Sequence, residues 1–313
     1  MRIRIGTRAS QLALAQARWI SEQVSTRYSE IKVDLVPITT KGDRVLDRPL
    51  STIGGKGLFV KEIEEALQRK EIDVAVHSLK DVPVELPDDL CIGVITERED
   101  PYDVIISKKN ISLENLPQGS RIGTSSLRRS AQLLHYRPDL KVVPLRGNLD
   151  TRIKKLHSLD IQAIVVAAAG LRRIGFDMAV SQSLPPDLML PAIGQGALGL
   201  ELRRDDHRIR DMVSFLDHSP TRVSVEAERS FLKELKAGCQ LPVAGLAKIT
   251  RGSLSLDGLV ASIDGSALFR DVMNGLPLKA TEIGVALAHR LLDAGAHEIL
   301  DDIYGKQGKP SQE

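Results

Sequence analysis

The sequence predicts an α/β protein built from two similar α/β lobes and a small C-terminal α+β domain. Three observations predict it. From Arg2 to about Gly175, short β-rich runs alternate with amphipathic stretches, the pattern of mainly parallel sheets with helices on both faces. "RIRIGTRASQLALAQ" at the N-terminus and "SRIGTSSLRRSAQLL" at 120–134 both run strand, Arg-Ile-Gly-Thr, polar turn, helix, which reads as an internal repeat. From about Thr221 the texture changes to one helix followed by alternating strands.

In order, Arg2–Gly6 is the first strand, and Ser10 is placed to cap a helix running to about Tyr28 on Leu12, Leu14, Ala17 and Ile20. "KVDLVPI" (32–38) is the next strand. "GLFVKEIEEALQR" (57–69) is a helix with Phe59, Ile63, Ala66 and Leu67 on one face, and "DVAV" (73–76) is a strand. The second series contains "DVIIS" (103–107), "RIGTSSLRRSAQLL" (121–134), "KVVPLRG" (141–147), a helix from about Asn148, and "AIVVAAAGLRRIG" (163–175). The third contains the helix "RVSVEAERSFLKELKAG" (222–238) and the strands "PVAGLAKI", "SLSLDGLVAS" and "ALFRDVM". The dipeptides Asp257-Gly258 and Asn274-Gly275 read as hairpin joints, a closing helix starts near Thr281, and "GKQGKPSQE" reads as a frayed tail.

Length and composition bound the function. A chain of 313 residues suits two or three domains, and 42% apolar residues supply ordinary cores. Aromatics at 3% leave little material for stacking single-stranded nucleic acid. Lys+Arg 43 against Asp+Glu 41 gives a net charge of +2, so the surface as a whole suits neither nucleic acid nor an anionic membrane. Any positive field is local. The N-terminus lacks a signal-peptide run, and no window reaches the length of a membrane span. Two distant cysteines, Cys91 and Cys239, form neither a disulfide framework nor a metal-ligand pattern, so a soluble, cytoplasmic setting without a metal is expected.

The local field is at the strand ends. In parallel sheets, ligands bind outside the carboxyl ends of the strands. There the sequence places Thr7, Arg8 and Ser10; Ser78, Lys80 and Asp81; Thr124, Ser125, Ser126, Arg128 and Arg129; Arg146, Gly147, Asn148 and Arg152; and Arg172 with Arg173. Any single arginine is an ordinary surface charge. Grouped on one predicted edge of a nearly neutral chain, with helix N-termini beside them, they suit a ligand with several carboxylates or phosphates. Asp81, a carboxylate amid donors, suits a reaction that passes through a cation on an anionic substrate. His77 reads as a polar strand end, and Cys91, in "LCIGVI", as packing. Cys239 sits in the glycine-flanked loop "AGCQLP", where a thiolate can act as nucleophile or anchor. "IGGKGLFVKE" (53–62) reads as a flap bearing Lys56 and Phe59, and "LPAIGQGALGLE" (190–201) as a segment crossing between lobes.

"VHSLKDVP", "GGKGLFVKE", "IGTSSLRR", "LRGNLDTR", "LPAIGQGALG" and "GCQLPV", in that order, resemble the porphobilinogen deaminase (hydroxymethylbilane synthase) family from about Ile3 through the third domain. The resemblance implies two lobes like those of periplasmic binding proteins, with the chain crossing between them twice. Domain 1 is then 1–98 with 195–215, domain 2 is 99–194, and domain 3 is 216–313. It implies a transferase of porphyrin and haem biosynthesis. Four porphobilinogen molecules condense head to tail with loss of ammonia, each through an azafulvene cation, and hydrolysis releases the linear tetrapyrrole. It implies a dipyrromethane cofactor in thioether linkage to Cys239, held by Ser78, Lys80, Asp81, Thr124, Ser126, Arg128 and Arg129. Arg8, Ser10, Arg146, Arg152 and Arg173 hold the incoming pyrrole, and Asp81 is the catalytic carboxylate. A monomer and hand-over of product to uroporphyrinogen-III synthase belong to the same expectation. Thr52 stands where many relatives carry a lysine.

Two rivals come from other classes. A two-lobed, non-catalytic binding protein for a polyanionic small molecule explains the arginines but not Cys239 or the third domain. A cysteine-dependent hydrolase would use Cys239, but no local Cys–His pairing supports it.

Overall fold

The computed structural model describes residues 2–44, 57–176, 180–238 and 241–307. Lys56, Thr52, Cys239 and Gln240, and the end of the expected tail, lie outside the described residues.

The first sheet is built around β1 (Arg2–Arg8), which pairs in parallel with β2 (Lys32–Ile38) and β3 (Val74–Ser78). β4 (Leu90–Ile95) lies at the far edge, giving the order β2-β1-β3-β10-β4, with β10 (Leu198–Arg203) antiparallel to both neighbours. The second sheet has the order β7-β6-β8-β5-β9. Here β6 (Arg121–Gly123) is parallel to β7 (Lys141–Val143) and β8 (Ala163–Ala167), and β5 (Asp103–Ser107) is antiparallel to β8 and β9 (Gln182–Leu184). The repeat seen in the sequence is thus a repeat of topology. One strand of each sheet is reversed, which the expectation of mainly parallel sheets does not specify. The reversed strands are β5 and β10, the ones reached when the chain crosses from the other sheet.

The helices follow the capping chemistry. α1 (Gln11–Arg27) starts at Ser10, whose Oγ accepts from the Ala13 N–H at 3.3 Å, and buries Ala13, Gln16, Ala17, Ile20 and Val24. After α2 (Lys41–Arg44), α3 (Lys61–Gln68) begins later than the sequence predicts. Gly57 (φ 82°) holds residues 57–60 in a turn. α3 buries Ile63, Ala66 and Leu67 as expected, but Phe59 is not on its face. Instead the Phe59 ring lies under the Arg8 guanidinium, 4.3 Å from its carbon. In the second lobe, α4 (Leu127–Tyr136) is capped by Ser126, which accepts from Arg129 N–H as Ser10 does in α1. α5 (Leu149–Ser158) and α6 (Ala168–Arg173) follow β7 and β8.

After β10 and α7 (His207–Val213), the third unit packs α8 (Ser219–Glu234) and α9 (Ala280–Leu291) on an antiparallel sheet of β11 (Val243–Thr250), β12 (Ser253–Ala261) and β13 (Leu268–Gly275). Its core holds Phe231, Leu254, Leu256, Val260 and Leu287. α10 (His297–Gln307) follows a kink at Gly295. Both expected hairpin joints are overturned. Asp257-Gly258 lies inside β12 and Asn274-Gly275 ends β13. The glycines are there for close packing: a Cβ on Gly258 would stand 2.8 Å from Leu287 Cδ2 and 2.9 Å from Phe231 Cζ, and one on Gly275 2.8 Å from Ile283 Cδ1. The two-residue turn is Arg251-Gly252, both at positive φ (52° and 79°), as a turn matched to strand twist requires. Arg98 of the first crossing segment reaches buried Glu228 of α8 at 2.8 Å, tying the third unit to the lobes. No helix of the described residues is long and apolar enough to cross a membrane.

Candidate functional site

The carboxyl ends of β1, β3, β6, β7 and β8 open on one cavity of about 2260 Å³. Arg8, Ser10, Phe59, Ser78, Lys80, Asp81, Thr124, Ser126, Arg128, Arg129, Arg146, Arg152 and Arg173 all line it. Each described residue expected to hold cofactor or pyrrole or to form the flap therefore lines one space, whereas the strand-end Thr7 is buried with Oγ1 donating to Ala13 O (3.1 Å). Arg172 does not line it; this exposed side chain pairs with Glu99 (2.8 Å) and Asp100 (3.0 Å). Gly238 and Leu241, which flank the undescribed pair 239–240, both line the cavity, and Leu241 N–H donates to Gly238 O at 3.1 Å.

On the lobe-1 wall, β3 ends at Ser78, whose hydroxyl bonds the buried Gln16 side chain of α1 (2.8 Å). The next turn presents Lys80 and Asp81. Lys80 Nζ donates to Gln195 Oε1 at 3.1 Å, and burial, reinforced by Arg129, lowers its pKa to about 8. Asp81 is half-buried and makes no hydrogen bond or ion pair among the described residues. Behind it, Arg229 of α8 donates to the carbonyls of Val82 (3.1 Å), Pro83 (2.6 Å) and Val84 (3.2 Å), which fixes the course of the loop. Arg8 is bound by Asp43 as well as lying over Phe59. His77 points into the lobe, with Nε2 2.9 Å from Glu201 Oε2, and both are buried, as its structural reading expects. Cys91 is half-buried rather than fully packed away and stands 3.3 Å from Arg210 Nη2.

On the lobe-2 wall, Arg128 and Arg129, each 5% exposed, share one carboxylate, that of fully buried Asp103. Arg128 Nη1 and Arg129 Nη2 each reach it at 2.7 Å. Burial raises the Asp103 pKa, but the two guanidiniums outweigh it and hold the carboxyl far below the usual range. Arg129 also donates to Val165 O (3.1 Å), so all three of its nitrogens are engaged. Arg128 donates from Nη1 to Leu190 O (2.7 Å) and leaves Nε and Nη2 unused among the described residues. Arg152 donates from Nε to Gly147 O (2.8 Å), and Arg173 from Nη2 to Gly196 O (2.7 Å). Burial lowers both, to about 10. It also lowers Arg146. Arg152 and Arg173 bond neutral carbonyls, and the nearby carboxylates, Asp81 for Arg152 and Glu99 for Arg173, offset only part of their desolvation, so a ligand carboxylate entering this space is bound strongly.

The sequence reading did not single out Asp103. Its signal was an acid heading the buried run "DVIIS", which burial forbids unless cations meet it. Gln195, 1% exposed, lies in the crossing segment 190–201, whose sequence assigns it no role; it joins Lys80 to Asp103.

A family model described as "Porphobilinogen deaminase, dipyromethane cofactor binding domain" matches residues 3–211, and "Porphobilinogen deaminase, C-terminal domain" matches residues 223–293. Proteins named porphobilinogen deaminase from Geobacter metallireducens (52% identical, covering 97% of this chain and 96% of that protein) and Trichlorobacter lovleyi (52%, 98% of each) align along nearly the whole length. Among solved structures, the methionine binding protein MetQ matches with a TM-score of 0.42 and 18% identity over 68% of this chain and 89% of that one, too weakly to add to what the sheets show. On these matches, the chain belongs to the porphobilinogen deaminase family.

Proposed function

We propose that this chain is a transferase that condenses four porphobilinogen molecules head to tail, releasing ammonia at each addition, and then hydrolyses the product free as the linear tetrapyrrole hydroxymethylbilane. The observation that carries the reading is Asp81: a half-buried carboxylate with no hydrogen bond or ion pair among the described residues, set in the field of Lys80 and Arg152 in a cavity wall supplied with cations. Porphobilinogen bears acetate and propionate groups and reacts through positive charge on its pyrrole nitrogen. The cations suit the first property and Asp81 the second.

The donor set fits a dipyrromethane cofactor. Drug-sized ligands occupy pockets of up to roughly 1,000 Å³. A space of about 2260 Å³ accommodates a longer anionic chain. Cys239, whose flanking residues line the cavity, would carry the group through its sulfur. When bound, the cofactor supplies a nucleophilic pyrrole carbon and an anchor for the growing chain. Ser78, Lys80, Thr124, Ser126, Arg128 and Arg129 would hold its carboxylates, Arg128 through Nε and Nη2. Arg8, Ser10, Arg146, Arg152 and Arg173 would hold those of the incoming pyrrole, and Lys56 with Phe59 would cover it. Asp81 stabilises positive charge developing at ring nitrogens and takes a proton on its carboxylate oxygens. Arg229 keeps Asp81 in place from behind.

The domain boundaries at 98/99, 194/195 and 215/216 are part of this reading, and the return of β10 to the first sheet supports them. A cytoplasmic monomer that hands its product to uroporphyrinogen-III synthase is drawn from the resemblance alone. A non-catalytic binding protein would use the arginines but leaves Asp81 without a task. The test is to supply porphobilinogen to the purified protein and follow substrate, ammonia and tetrapyrrole together. The reading expects four substrates consumed and four ammonia released per tetrapyrrole; no turnover, or consumption without tetrapyrrole, overturns it.

A further inference from the structure

The segment returning from the second lobe to the first, residues 192–197, touches both lobes and the third unit. Gly194 N–H donates to Glu228 Oε2 of α8 at 2.7 Å. Gly196 O accepts from Arg173 Nη2 (2.7 Å) and from Glu99 N–H (3.2 Å). Ala197 O accepts from Leu79 N–H (3.0 Å), at the start of the turn that presents Lys80 and Asp81. Between the positive-φ residues Gly194 (70°) and Gly196 (92°) stands Gln195, its side chain closed off from solvent. A Cβ on Gly196 would stand 2.3 Å from Glu99 O, so the two crossing segments are in direct contact here.

The Gln195 amide is polarised by its surroundings. Its Nε2 donates to Pro101 O (2.7 Å) and Asp103 Oδ1 (3.0 Å), both on the side of the second lobe. Its Oε1 accepts from Lys80 Nζ (3.1 Å) of the first. The neighbours fix this orientation, since the reverse would aim N–H groups at an ammonium and oxygen at a carboxylate. A chain of bonds therefore runs from Lys80 through Gln195 to Asp103, and on to Arg128 and Arg129.

We propose that Gln195 is a positioning residue for the reaction: it holds the Lys80 ammonium in register with the Asp103–Arg128–Arg129 cluster, so that cationic groups of both lobes meet one anionic ligand at a fixed spacing. This rests on the deaminase reading above. Glutamine is chosen because it is neutral and two-ended. A carboxylate at this position would neutralise Lys80 and repel Asp103; a hydrocarbon would bridge nothing.

The test uses the full-length, cofactor-loaded enzyme as Gln195→Met and Gln195→Glu, with wild type assayed in parallel. Gln195→Met keeps the size and removes both ends. Its kcat falls about tenfold to a hundredfold, the loss of hydrogen bonds to charged groups. KM changes little, because the groups assigned to the incoming pyrrole are intact. Gln195→Glu is discriminating. The introduced acid faces Asp103 and Lys80, with Arg128 and Arg129 bound to Asp103, Asp81 acting on Lys80, and Arg98, Glu99, Arg173 and Glu228 against the flanking glycines. Deprotonated, it breaks the bridge. Protonated, its O–H donates to Asp103 and its C=O accepts from Lys80, as the amide does. Its kcat relative to wild type therefore rises as pH falls, a signature that a merely structural role does not give. Wild-type kinetics and a wild-type pH profile in both variants overturn the proposal, as does failure of both to fold, which makes Gln195 a folding residue. If wild type itself does not turn over porphobilinogen, the deaminase reading fails instead, and the two failures are told apart.

Discussion

Replacing Asp103 by asparagine tests the architecture of the cationic wall. The carboxylate is fully buried, and both guanidiniums that bracket it at 2.7 Å are 5% exposed. Asp103→Asn keeps the shape, removes the charge and turns one acceptor into a donor aimed at donors. Removing one partner of a buried ion pair costs about 3–5 kcal/mol, against total domain stabilities of about 5–15 kcal/mol. With a urea dependence of about 3 kcal/mol per molar, the unfolding midpoint falls by about 1–1.7 M. The folded carboxyl titrates below its unfolded value, so the stabilisation is fully present above about pH 4 and is lost only as pH falls through the lower, folded pKa. The variant should thus be compared with wild type at neutral pH, by far-UV circular dichroism across a urea series. A drop in slope as well as midpoint would mean that the second lobe unfolds ahead of the rest. A midpoint within about 0.3 M of wild type, about 1 kcal/mol at that slope, would refute the claim that this carboxylate holds the two arginines.

Asp81→Ala should lower kcat by about a hundredfold or more with KM little changed, whereas Asp81→Glu keeps part of the rate; steady-state assays of cofactor-loaded variants decide it, and near-normal turnover in the alanine variant removes Asp81 from the chemistry. Lys80 has a folded pKa of about 8 against an ordinary 10.5, so the unfolded chain binds more protons in that interval and stability rises with pH across it; urea midpoints measured between pH 8 and 10.5 in the cofactor-free protein should show the rise, and Lys80→Met should flatten it. Gly258→Ala places a methyl against Phe231 and Leu287 and should cost about 1–3 kcal/mol in thermal unfolding while leaving assembled-enzyme kinetics intact; an unchanged melting temperature would mean that α8 and α9 yield easily.

Much of this was legible because the site lies at strand ends, and strand ends are marked by the switch from apolar runs to polar turns. "RIGT" twice, each followed by a serine cap, gave both the lobe repeat and two of the site loops. What escaped was whatever depends on a neighbour distant in sequence. Asp103 meets Arg128 and Arg129 only because β5 is the reversed strand beside β8, which local pattern does not encode. Gln195 has meaning only where two crossings touch. The third sheet misled for the same reason: Asp257-Gly258 has the composition of a turn, but the glycine answers to Phe231 and Leu287 packing above it. Phe59 lies over Arg8, not on the helix face, because Gly57 delays the helix start.

The most direct measurement is the intact mass of the purified protein, made in cells that supply porphobilinogen, beside Cys239→Ser. The wild-type chain should run heavier than its sequence by two linked pyrrole units, mapped by peptide analysis to Cys239 and not Cys91, and the serine variant should run at its bare mass. A wild-type protein of bare mass that still makes tetrapyrrole, or an adduct that survives in Cys239→Ser, would contradict the tethering of an acidic pyrrole chain in this cavity.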